Sequence, residues 1–230
     1  MRLSIVVPVL DEAAGVGDVL GRLAPLREQG AEVIVVDGGS RDDTPALARP
    51  HADRVIAAPR GRAAQMNAGA AIATGDVLLF LHADTILPPD ADRLIVRGLQ
   101  ETGLAWGRFD VDIAGRHRLL PMIAALMNRR SRLTGIATGD QAVFVRADAF
   151  ARAGGFPDIP LMEDIAISRA LKRLSRPRCL TQRVITSGRR WEKNGVARTI
   201  GLMWRLRLAY FLGADPARLA RAYGYRPRDE

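Results

Sequence analysis

Glu32-Val33-Ile34-Val35-Val36-Asp37-Gly38-Gly39-Ser40 is the most informative segment of the 230-residue chain. Its apolar, β-branched residues follow one another without a polar interruption, which is typical of a strand buried on both faces of a parallel sheet. The aspartate, glycines and serine that come next are common in turns. The segment therefore predicts a strand over residues 32–37 with a polar loop at its carboxyl end.

Two further segments, residues 4–9 and 76–81, have the same nearly continuous apolar character. Between the strands predicted at residues 4–9 and 32–37, apolar residues recur at the i, i+3, i+4, i+7 spacing of one helix face. Strand, helix and strand in this order indicate a parallel sheet. The residues of that helix face are Val16, Val19, Leu20 and Leu23.

Local signals predict two more helices in this half. Thr44 is a good N-cap and Pro45 suits a first helical turn, so we expect a helix to start there. Residues 61–74 are rich in alanine and predict a helix that Gly75 ends in the left-handed conformation. With a short strand at residues 55–56, the alternation continues to about residue 100 and predicts a doubly wound α/β arrangement.

Asp11, Asp37 and Asp84 each lie at the carboxyl end of one of the predicted buried strands. In doubly wound sheets, ligands bind beyond the carboxyl ends of the strands. Any single aspartate at a strand end could merely cap the next helix. The coincidence of three predicts a ligand site at this edge of the sheet.

The second half of the chain has a more mixed pattern, and neither an internal repeat nor a long linker separates it from the first. We expect one domain over residues 1–230, with halves of about 1–100 and 101–230. The elements expected in the second half are strands at residues 106–113, 142–145 and 179–186 and helices at residues 147–153 and 164–174.

The composition, 48% hydrophobic and 26% charged, is ordinary for a globular domain. The single cysteine, Cys179, cannot form an intramolecular disulfide, so we expect a cytoplasmic location. No stretch of about 18 uninterrupted apolar residues occurs, so the sequence predicts no membrane span.

The formal net charge of +9 favours anionic partners such as nucleic acid, acidic lipid or phosphorylated small molecules. Nucleic acid is not expected, because aromatic residues are only 5% of the chain and the arginines are spread along it. Residues 200–212 predict a helix with Met203, Leu206 and Tyr210 on one face and arginines nearby. Such a helix can rest at the anionic inner face of a membrane, or pack against the core or a second copy of the chain.

Seven short motifs are spread over nearly the whole chain. They are Val7-Pro8-Val9-Leu10-Asp11-Glu12, Val36-Asp37-Gly38-Gly39-Ser40-Arg41-Asp42-Asp43-Thr44, Arg60-Gly61-Arg62-Ala63-Ala64-Gln65-Met66-Asn67-Ala68-Gly69, Leu81-His82-Ala83-Asp84-Thr85, Gly139-Asp140-Gln141, Gly154-Gly155-Phe156 and Met162-Glu163-Asp164. In order and spacing these motifs resemble those of the family 2 glycosyltransferases of the GT-A fold. Among these enzymes the chain is most similar to the small, stand-alone bacterial members, some of which are associated with arsenosugar biosynthesis.

The resemblance implies a GT-A fold, in which a Rossmann-like, mostly parallel sheet is flanked by helices and followed by a mixed acceptor half. It also implies an inverting glycosyltransferase that moves a sugar from a nucleotide-sugar donor to an acceptor hydroxyl in a single displacement. A UDP-sugar is the favoured donor, and a GDP-sugar is the alternative.

The resemblance implies that the donor lies against the first half of the chain. Residues 8–12 would flank the base and ribose, Asp37 would accept a hydrogen bond from the base, and the glycines after it would let the backbone approach the ligand. Arg60 or Arg62 would reach the phosphates, unless both only form the exposed basic start of a helix. The donor-binding residues implied in this way are Pro8, Asp11, Glu12, Asp37, Gly38, Arg60, Arg62, Asn67, His82, Ala83 and Asp84.

The family usually presents Asp-x-Asp where this chain has His82-Ala83-Asp84. The second aspartate typically binds the divalent metal that bridges the donor phosphates, so Mg²⁺ or Mn²⁺ is the expected cofactor and Asp84 its expected ligand. Because a neutral imidazole can also bind Mn²⁺, His82 is the second candidate ligand. Its alternative is a purely structural histidine at a strand end.

Glu163 and Asp164 begin a predicted helix, where acidic side chains also interact well with the helix dipole. The resemblance implies that Asp164 is the general base that takes the proton of the acceptor hydroxyl. Glu163 would orient it or bind an acceptor hydroxyl. Arg189, Arg190 and Lys193 could close over the diphosphate or form a solvated loop. The acceptor side would be lined by Gly139, Asp140, Gln141, Arg190 and Trp191.

Two other functions compete with sugar transfer. A sugar-phosphate nucleotidyltransferase would need a glycine-rich basic loop after the first strand, whereas this chain has Leu10-Asp11-Glu12-Ala13-Ala14 there. A non-catalytic protein that binds nucleotide sugars or a membrane surface would explain His82 and the basic carboxyl-terminal segment. The presence of Asp164 argues against that alternative.

Overall fold

The strands of the computed structural model, which describes residues 1–225, form one mixed sheet of eight strands. In chain order they are β1 (Leu3–Val9), β2 (Glu32–Asp37), β3 (Arg54–Ala57), β4 (Val77–Phe80), β5 (Thr85–Ile86), β6 (Trp106–Ala114), β7 (Val143–Arg146) and β8 (Arg178–Ser187). Across the sheet they are arranged as β3-β2-β1-β4-β7-β6-β8-β5.

Helices connect these strands and pack on both sides of the sheet, and a short 3-10 turn, Gly139–Gln141, precedes β7. In the described part of the chain, no helix is both long enough and apolar enough to cross a bilayer. The helices are α1 (Val16–Gly21), α2 (Ala24–Glu28), α3 (Thr44–Ala48), α4 (Arg62–Ile72), α5 (Ala91–Thr102), α6 (Leu120–Thr134), α7 (Ala147–Ala153), α8 (Glu163–Lys172), α9 (Arg189–Asn194), α10 (Val196–Phe211) and α11 (Pro216–Tyr223).

The first half forms the predicted parallel unit, in which β1 lies between β2 and β4 and pairs in parallel with both. β3 extends it in parallel beyond β2. The change to a mixed sheet comes at β7, which is antiparallel to both β4 and β6. The expected architecture, a Rossmann-like half continued by a mixed half, is therefore confirmed.

The continuous apolar runs are explained by burial of β1 and β2 on both faces. Val35 of β2 belongs to the core cluster on one side of the sheet, with Ile5 and Val7. Ile34 and Val36 belong to the cluster on the other side. A strand covered on both faces can place apolar residues at every position, so it shows no alternation of apolar and polar residues.

Two local predictions were wrong in their details. The helix expected over residues 61–74 ends at Ile72, and the next residue is already extended. Gly75 has another reason to be a glycine, because a Cβ there would come within 2.7 Å of the Ser4 hydroxyl. Thr44 is the first residue of α3 instead of its N-cap, and its hydroxyl accepts a hydrogen bond from Glu12 N at 2.8 Å.

The elements expected in the second half occur with small shifts of their ends. The strands predicted over residues 106–113, 142–145 and 179–186 correspond to β6, β7 and β8. The helix predicted over residues 200–212 is the larger part of α10, which begins four residues earlier, at Val196. These elements bring the carboxyl-terminal half against the end of the sheet at which the three aspartates lie.

Candidate active site

Asp11 and Asp37 come together at the carboxyl ends of β1 and β2 through the side chain of Ser40. The Ser40 hydroxyl donates to Asp37 Oδ1 at 2.5 Å and accepts from Asp11 N at 2.9 Å. Asp37 also accepts from the backbone amides of Gly39 and Ser40. Asp11 in turn accepts from Arg41 N, at 2.8 Å. The two predicted donor-binding aspartates therefore form one rigid polar edge, and Ser40, which the sequence analysis did not single out, joins them.

Gln65 is a second residue that the sequence analysis missed. It lies on α4 and is buried, and its amide nitrogen donates to the carbonyls of Val9 and Val36, both at 2.8 Å. A Cβ on Gly38 would come within 3.0 Å of this amide group. In this structure the absence of a side chain at Gly38 thus makes room for Gln65, which holds the ends of β1 and β2 together.

Glu12 and Asp84 share one cation, the guanidinium of Arg189 at the start of α9. Arg189 Nη2 lies 3.5 Å from Glu12 Oε2 and 3.9 Å from Asp84 Oδ2. Burial and the charge of Asp84 raise the pKa of Glu12, although Arg189 acts in the opposite direction. A basic side chain from the second half therefore lies between two acidic side chains of the first half.

His82 faces the 3-10 turn Gly139–Gln141, where its Nδ1 lies 3.5 Å from Asp140 Oδ1. Burial by itself would lower the pKa of His82, but the hydrogen bond and charge of Asp140 raise it. The charge and hydrogen bond of His82 outweigh the effect of burial on the pKa of Asp140 and lower it. A Cβ on Gly139 would come within 2.3 Å of the imidazole ring, so only glycine fits beside His82.

Asp164 is in the first turn of α8 and points at the same 3-10 turn. Its Oδ2 accepts from Gly139 N at 3.3 Å and its Oδ1 from Ile165 N at 2.7 Å. Burial and the neighbouring charge of Glu163 raise the pKa of Asp164 to about 6. A carboxylate with this pKa is a better proton acceptor near neutral pH than an ordinary aspartate.

Glu163, the first residue of α8, pairs across the molecule with Arg62 at the start of α4. Arg62 Nε lies 2.7 Å from Glu163 Oε1, and Glu163 is almost completely buried. The second oxygen, Oε2, is also buried and has no hydrogen-bond partner in the structure. Arg62, predicted to reach the donor phosphates, is thus committed in this structure to the residue beside the candidate base.

The carboxyl-terminal helices also reach the site. The Arg190 guanidinium stacks 3.6 Å from the centre of the Tyr223 ring and donates to the Tyr223 carbonyl at 3.2 Å. Asp140 and Arg62 lie close enough to Tyr223 to influence its pKa, which burial raises. On α6, Arg130 lies within the electrostatic reach of Asp164, and its Nε and Nη2 are buried without partners. The acceptor side of Asp164 is therefore rich in positive charge.

Several residues predicted for the site have other contacts in the structure. Gln141 is fully buried, caps its own 3-10 turn and donates to Asn128 at 3.4 Å, so it does not line an open acceptor surface. Asn67 is bonded to the backbone of Phe156, from Nδ2 to the carbonyl at 2.7 Å and from the amide to Oδ1 at 2.9 Å. Trp191 is half-buried and packs with the apolar cluster of α6.

Of the remaining predicted residues, two lie in or against the core and one contacts the carboxyl-terminal segment. Pro8 is buried within β1, opposite Val36 of β2. Ala83 packs against the core beside the turn that carries Asp84. Arg60 stacks over the ring of Tyr225, 5.6 Å from its centre. Contacts through Ser40, Arg189 and the 3-10 turn Gly139–Gln141 link the predicted donor residues to Asp164.

Within residues 1–225, no three His, Cys, Asp or Glu side chains form a ready-made metal cluster. Asp84 and Glu12 nevertheless lie on either side of the Arg189 guanidinium. Both offer carboxylate oxygens, which Mg²⁺ and Mn²⁺ prefer. His82 is directed at Asp140, and its raised pKa favours the imidazolium, which has no free lone pair for a metal. The residues present fit Asp84 as a ligand better than His82.

The profile of glycosyl transferase family 2 matches residues 4–152, more than half of the chain. The chain therefore belongs to glycosyl transferase family 2. It is 30% identical over 169 residues to an undecaprenyl-phosphate 4-deoxy-4-formamido-L-arabinose transferase of Sodalis glossinidius, an alignment covering 64% of this chain and 48% of that protein. The chain spans about half the length of the curated relatives of this kind that it matches.

Solved structures of glycosyltransferases share the fold. A mannosyltransferase from Pyrobaculum calidifontis in complex with GDP-Man and Mn²⁺ superposes with a TM-score of 0.64 at 21% identity, over 96% of this chain and 68% of that one. Glucosyl-3-phosphoglycerate synthase from Mycobacterium tuberculosis in complex with Mn²⁺, UDP and glucosyl-3-phosphoglycerate gives 0.60 at 22% identity, over 80% and 70%. These likenesses confirm the expected GT-A fold.

Proposed function

We propose that this chain is an inverting glycosyltransferase that moves a sugar from a nucleotide-sugar donor to an acceptor hydroxyl, with Asp164 as the general base. The observation that carries the proposal is the position of Asp164. It lies in the first turn of α8, its pKa is raised to about 6, and it is surrounded by groups that link it to the donor edge. Arg62 and Glu163 form the most direct of these links.

In the proposed step, the acceptor oxygen forms a bond to the anomeric carbon while the bond from that carbon to the diphosphate oxygen breaks. The acceptor proton passes to Asp164, and the electron pair of the broken bond leaves with the nucleoside diphosphate. Because attack and departure occur on opposite faces, the configuration of the anomeric carbon is inverted. Glu163 raises the pKa of the base and, through Arg62, fixes its helix against α4.

A UDP-sugar is the donor that we favour, with a GDP-sugar as the alternative. The two solved relatives described above were studied with UDP and with GDP-Man, so the fold accommodates both nucleotides. Asp37, Gly38 and the Asp11–Glu12 turn would face the base and ribose, and Arg60 and Arg189 supply positive charge toward the diphosphate. The cytoplasmic location and the arsenosugar-associated subgroup stay predictions.

Mg²⁺ or Mn²⁺ is the expected cofactor, and we assign Asp84 as its protein ligand, with Glu12 close enough to assist. When bound, such an ion would neutralise charge on the departing diphosphate. Arg189 already contributes a positive group at this point and would turn from the two carboxylates toward the phosphates. We assign His82 to the orientation of the 3-10 turn beside Asp164, through Asp140 and Gly139.

A donor screen tests the proposal. UDP- and GDP-sugars are incubated with a mixed panel of hydroxyl acceptors, and released nucleoside diphosphate is measured. We expect acceptor-dependent release with one nucleotide class. Asp164→Asn should abolish transfer and leave nucleotide affinity within about threefold, because the variant keeps the shape and removes the base. Equal loss of nucleotide binding would show that Asp164 is structural.

The screen also separates the competing functions. A protein that only binds nucleotide sugars would bind UDP or GDP and release no diphosphate with any acceptor. A nucleotidyltransferase would form a nucleotide sugar from a nucleoside triphosphate and a sugar phosphate. Either result would overturn the assignment of Asp164.

A further inference from the structure

Two helices of the second half expose large apolar side chains to solvent. Within each helix and at its cap residue these side chains follow helical spacing and so form one stripe along a single face. We call them the α6 stripe and the α10 stripe. The α6 stripe consists of Leu119, Met122, Leu126 and Leu133, and the α10 stripe consists of Trp204, Leu208, Phe211 and Leu212. Trp204 is 75% exposed and Leu212 is 79% exposed, values far above those of side chains that pack against a domain core.

The two stripes lie on neighbouring elements. On the buried side of α6, Leu120 and Ile123 share an apolar cluster with Val196 and Ile200 at the start of α10. The rest of α10 packs through Leu206 onto α8 and α11. Both helices are therefore anchored by one side and leave the other side uncovered.

The surface around the stripes is basic. Residues 115–135 contain five arginines and residues 195–212 contain three, and neither segment contains an aspartate or a glutamate. Several of these arginines are exposed: Arg116, Arg118, Arg129, Arg198 and Arg205. Apolar side chains flanked by arginines whose long stems can reach outward suit the boundary between acyl chains and anionic headgroups.

We propose that the α6 and α10 stripes together form a surface that docks on an anionic lipid bilayer. Charge decides between a bilayer and a second copy of the chain. A twofold axis would place two predominantly basic surfaces opposite each other, which is unfavourable, whereas anionic headgroups are complementary to both stripes. The sequence points to residues 200–212 alone, and the structure adds α6 as the second contact.

Docking would bring the acceptor side of the site toward the membrane. Leu206 of α10 packs in the same cluster as Met162 and Ile165, on either side of Glu163 and Asp164. This consequence rests on the proposed function, whereas the docking itself does not.

Vesicle binding tests the docking without any assay of transfer. The protein is mixed with vesicles of phosphatidylcholine alone or with about one-third phosphatidylglycerol, and binding is measured by flotation and tryptophan fluorescence. We expect binding to the anionic vesicles, weakened by salt, with a blue shift from Trp204. Trp106 is fully buried and Trp191 half-buried, so Trp204 is the tryptophan that reports on lipid contact.

Three variants sharpen the test. Leu126→Ser with Leu208→Ser, one change in each stripe, should weaken binding roughly tenfold or more. Arg198→Glu should weaken binding to anionic vesicles at least about fivefold. Leu47→Ser removes an apolar side chain that is also exposed, at 44%, on α3 in the other half, and should leave vesicle binding unchanged.

The proposal fails if the protein does not bind the anionic vesicles, or if Leu47→Ser weakens binding as much as the double variant. It also fails if sedimentation shows a dimer that the double variant dissociates, because a second copy would then cover the stripes. If the protein binds the anionic vesicles but transfers no sugar in any donor screen, the docking proposal stands and the proposed glycosyltransferase activity is wrong.

Discussion

At the scale of single residues, the pKa of Asp164 makes the clearest prediction. A general base works when it is deprotonated, and burial together with Glu163 raises this pKa to about 6. We therefore expect kcat/KM to fall about tenfold per pH unit below pH 6 and to level off above it. A pH profile of initial rates from pH 5 to 8 measures this, and a flat profile would contradict the assignment.

Glu163→Gln should move the fall in kcat/KM, which we expect below pH 6, to lower pH. The substitution removes a negative charge that disfavours ionisation of Asp164, while the positive charge of Arg62 remains. Glu101→Gln is the matched control, because Glu101 is an exposed carboxylate paired with Arg97 on α5. If kcat/KM of Glu163→Gln falls at the same pH as in the unchanged protein, the carboxylates of Glu163 and Asp164 do not interact.

Arg189 offers a second prediction at this scale. Arg189→Ala leaves Glu12 and Asp84 without their shared cation, so we expect Mn²⁺ in the absence of nucleotide to bind several-fold more tightly, by calorimetric titration. Transfer should fall about tenfold to a hundredfold, because the departing diphosphate loses a positive group. Arg183→Ala, which removes an exposed arginine paired with Asp112 on β6, is the control. Unchanged Mn²⁺ affinity in Arg189→Ala would argue against a metal at Asp84.

At the scale of elements, Asn67 joins α4 to the second half by two hydrogen bonds. Its two hydrogen bonds to the Phe156 backbone predict that Asn67→Ala lowers the free energy of unfolding by about 1 to 3 kcal/mol. Urea unfolding measures this, with the exposed Asn194→Ala as control. UDP affinity should change less than about threefold. Lost UDP affinity at unchanged stability would instead restore the donor contact expected from the sequence.

The sequence predicts an element well where burial imposes one simple pattern. The strand predicted over residues 32–37 coincides with β2, because burial on both faces leaves only apolar side chains between its ends. Helix α6 was not predicted, since its apolar residues are divided between a buried side with Leu120 and Ile123 and an exposed side with Leu126. A helix that is apolar on two sides shows no amphipathic period.

The sequence singles out positions for a candidate site but does not predict the contacts between them. Asp37, Asp84 and Asp164 could be singled out because each lies at the end of a strand or in the first turn of a helix. The pairs Arg62 with Glu163 and Arg189 with Glu12 join residues that are far apart in the chain, and no local pattern encodes them. Gln65 carried no signal either, because its role depends on two strand ends meeting beside α4.

At the scale of the whole molecule, contacts between the two halves predict that they act as one unit. β4 of the first half pairs with β7 of the second, with Phe80 opposite Val143. The Phe80 ring also packs edge-on against Phe156, with centroids 4.8 Å apart. These contacts and the pair Arg62–Glu163 all join residues of the first half to residues of the second. We therefore expect residues 1–230 to unfold as one cooperative unit.

The tryptophans make this expectation measurable, because Trp106, Trp191 and Trp204 all lie in the second half. If the halves are one unit, UDP with Mn²⁺ bound to the first half must raise the urea midpoint that tryptophan fluorescence reports for the second. At a nucleotide concentration of 100 times Kd, the free energy of unfolding should increase by about 2.7 kcal/mol. Circular dichroism, which reports on helices of both halves, should give the same midpoint. Two separate transitions could instead appear, with UDP shifting only the one that tryptophan fluorescence does not report. That result would show that donor binding is not coupled to the helix that carries Asp164.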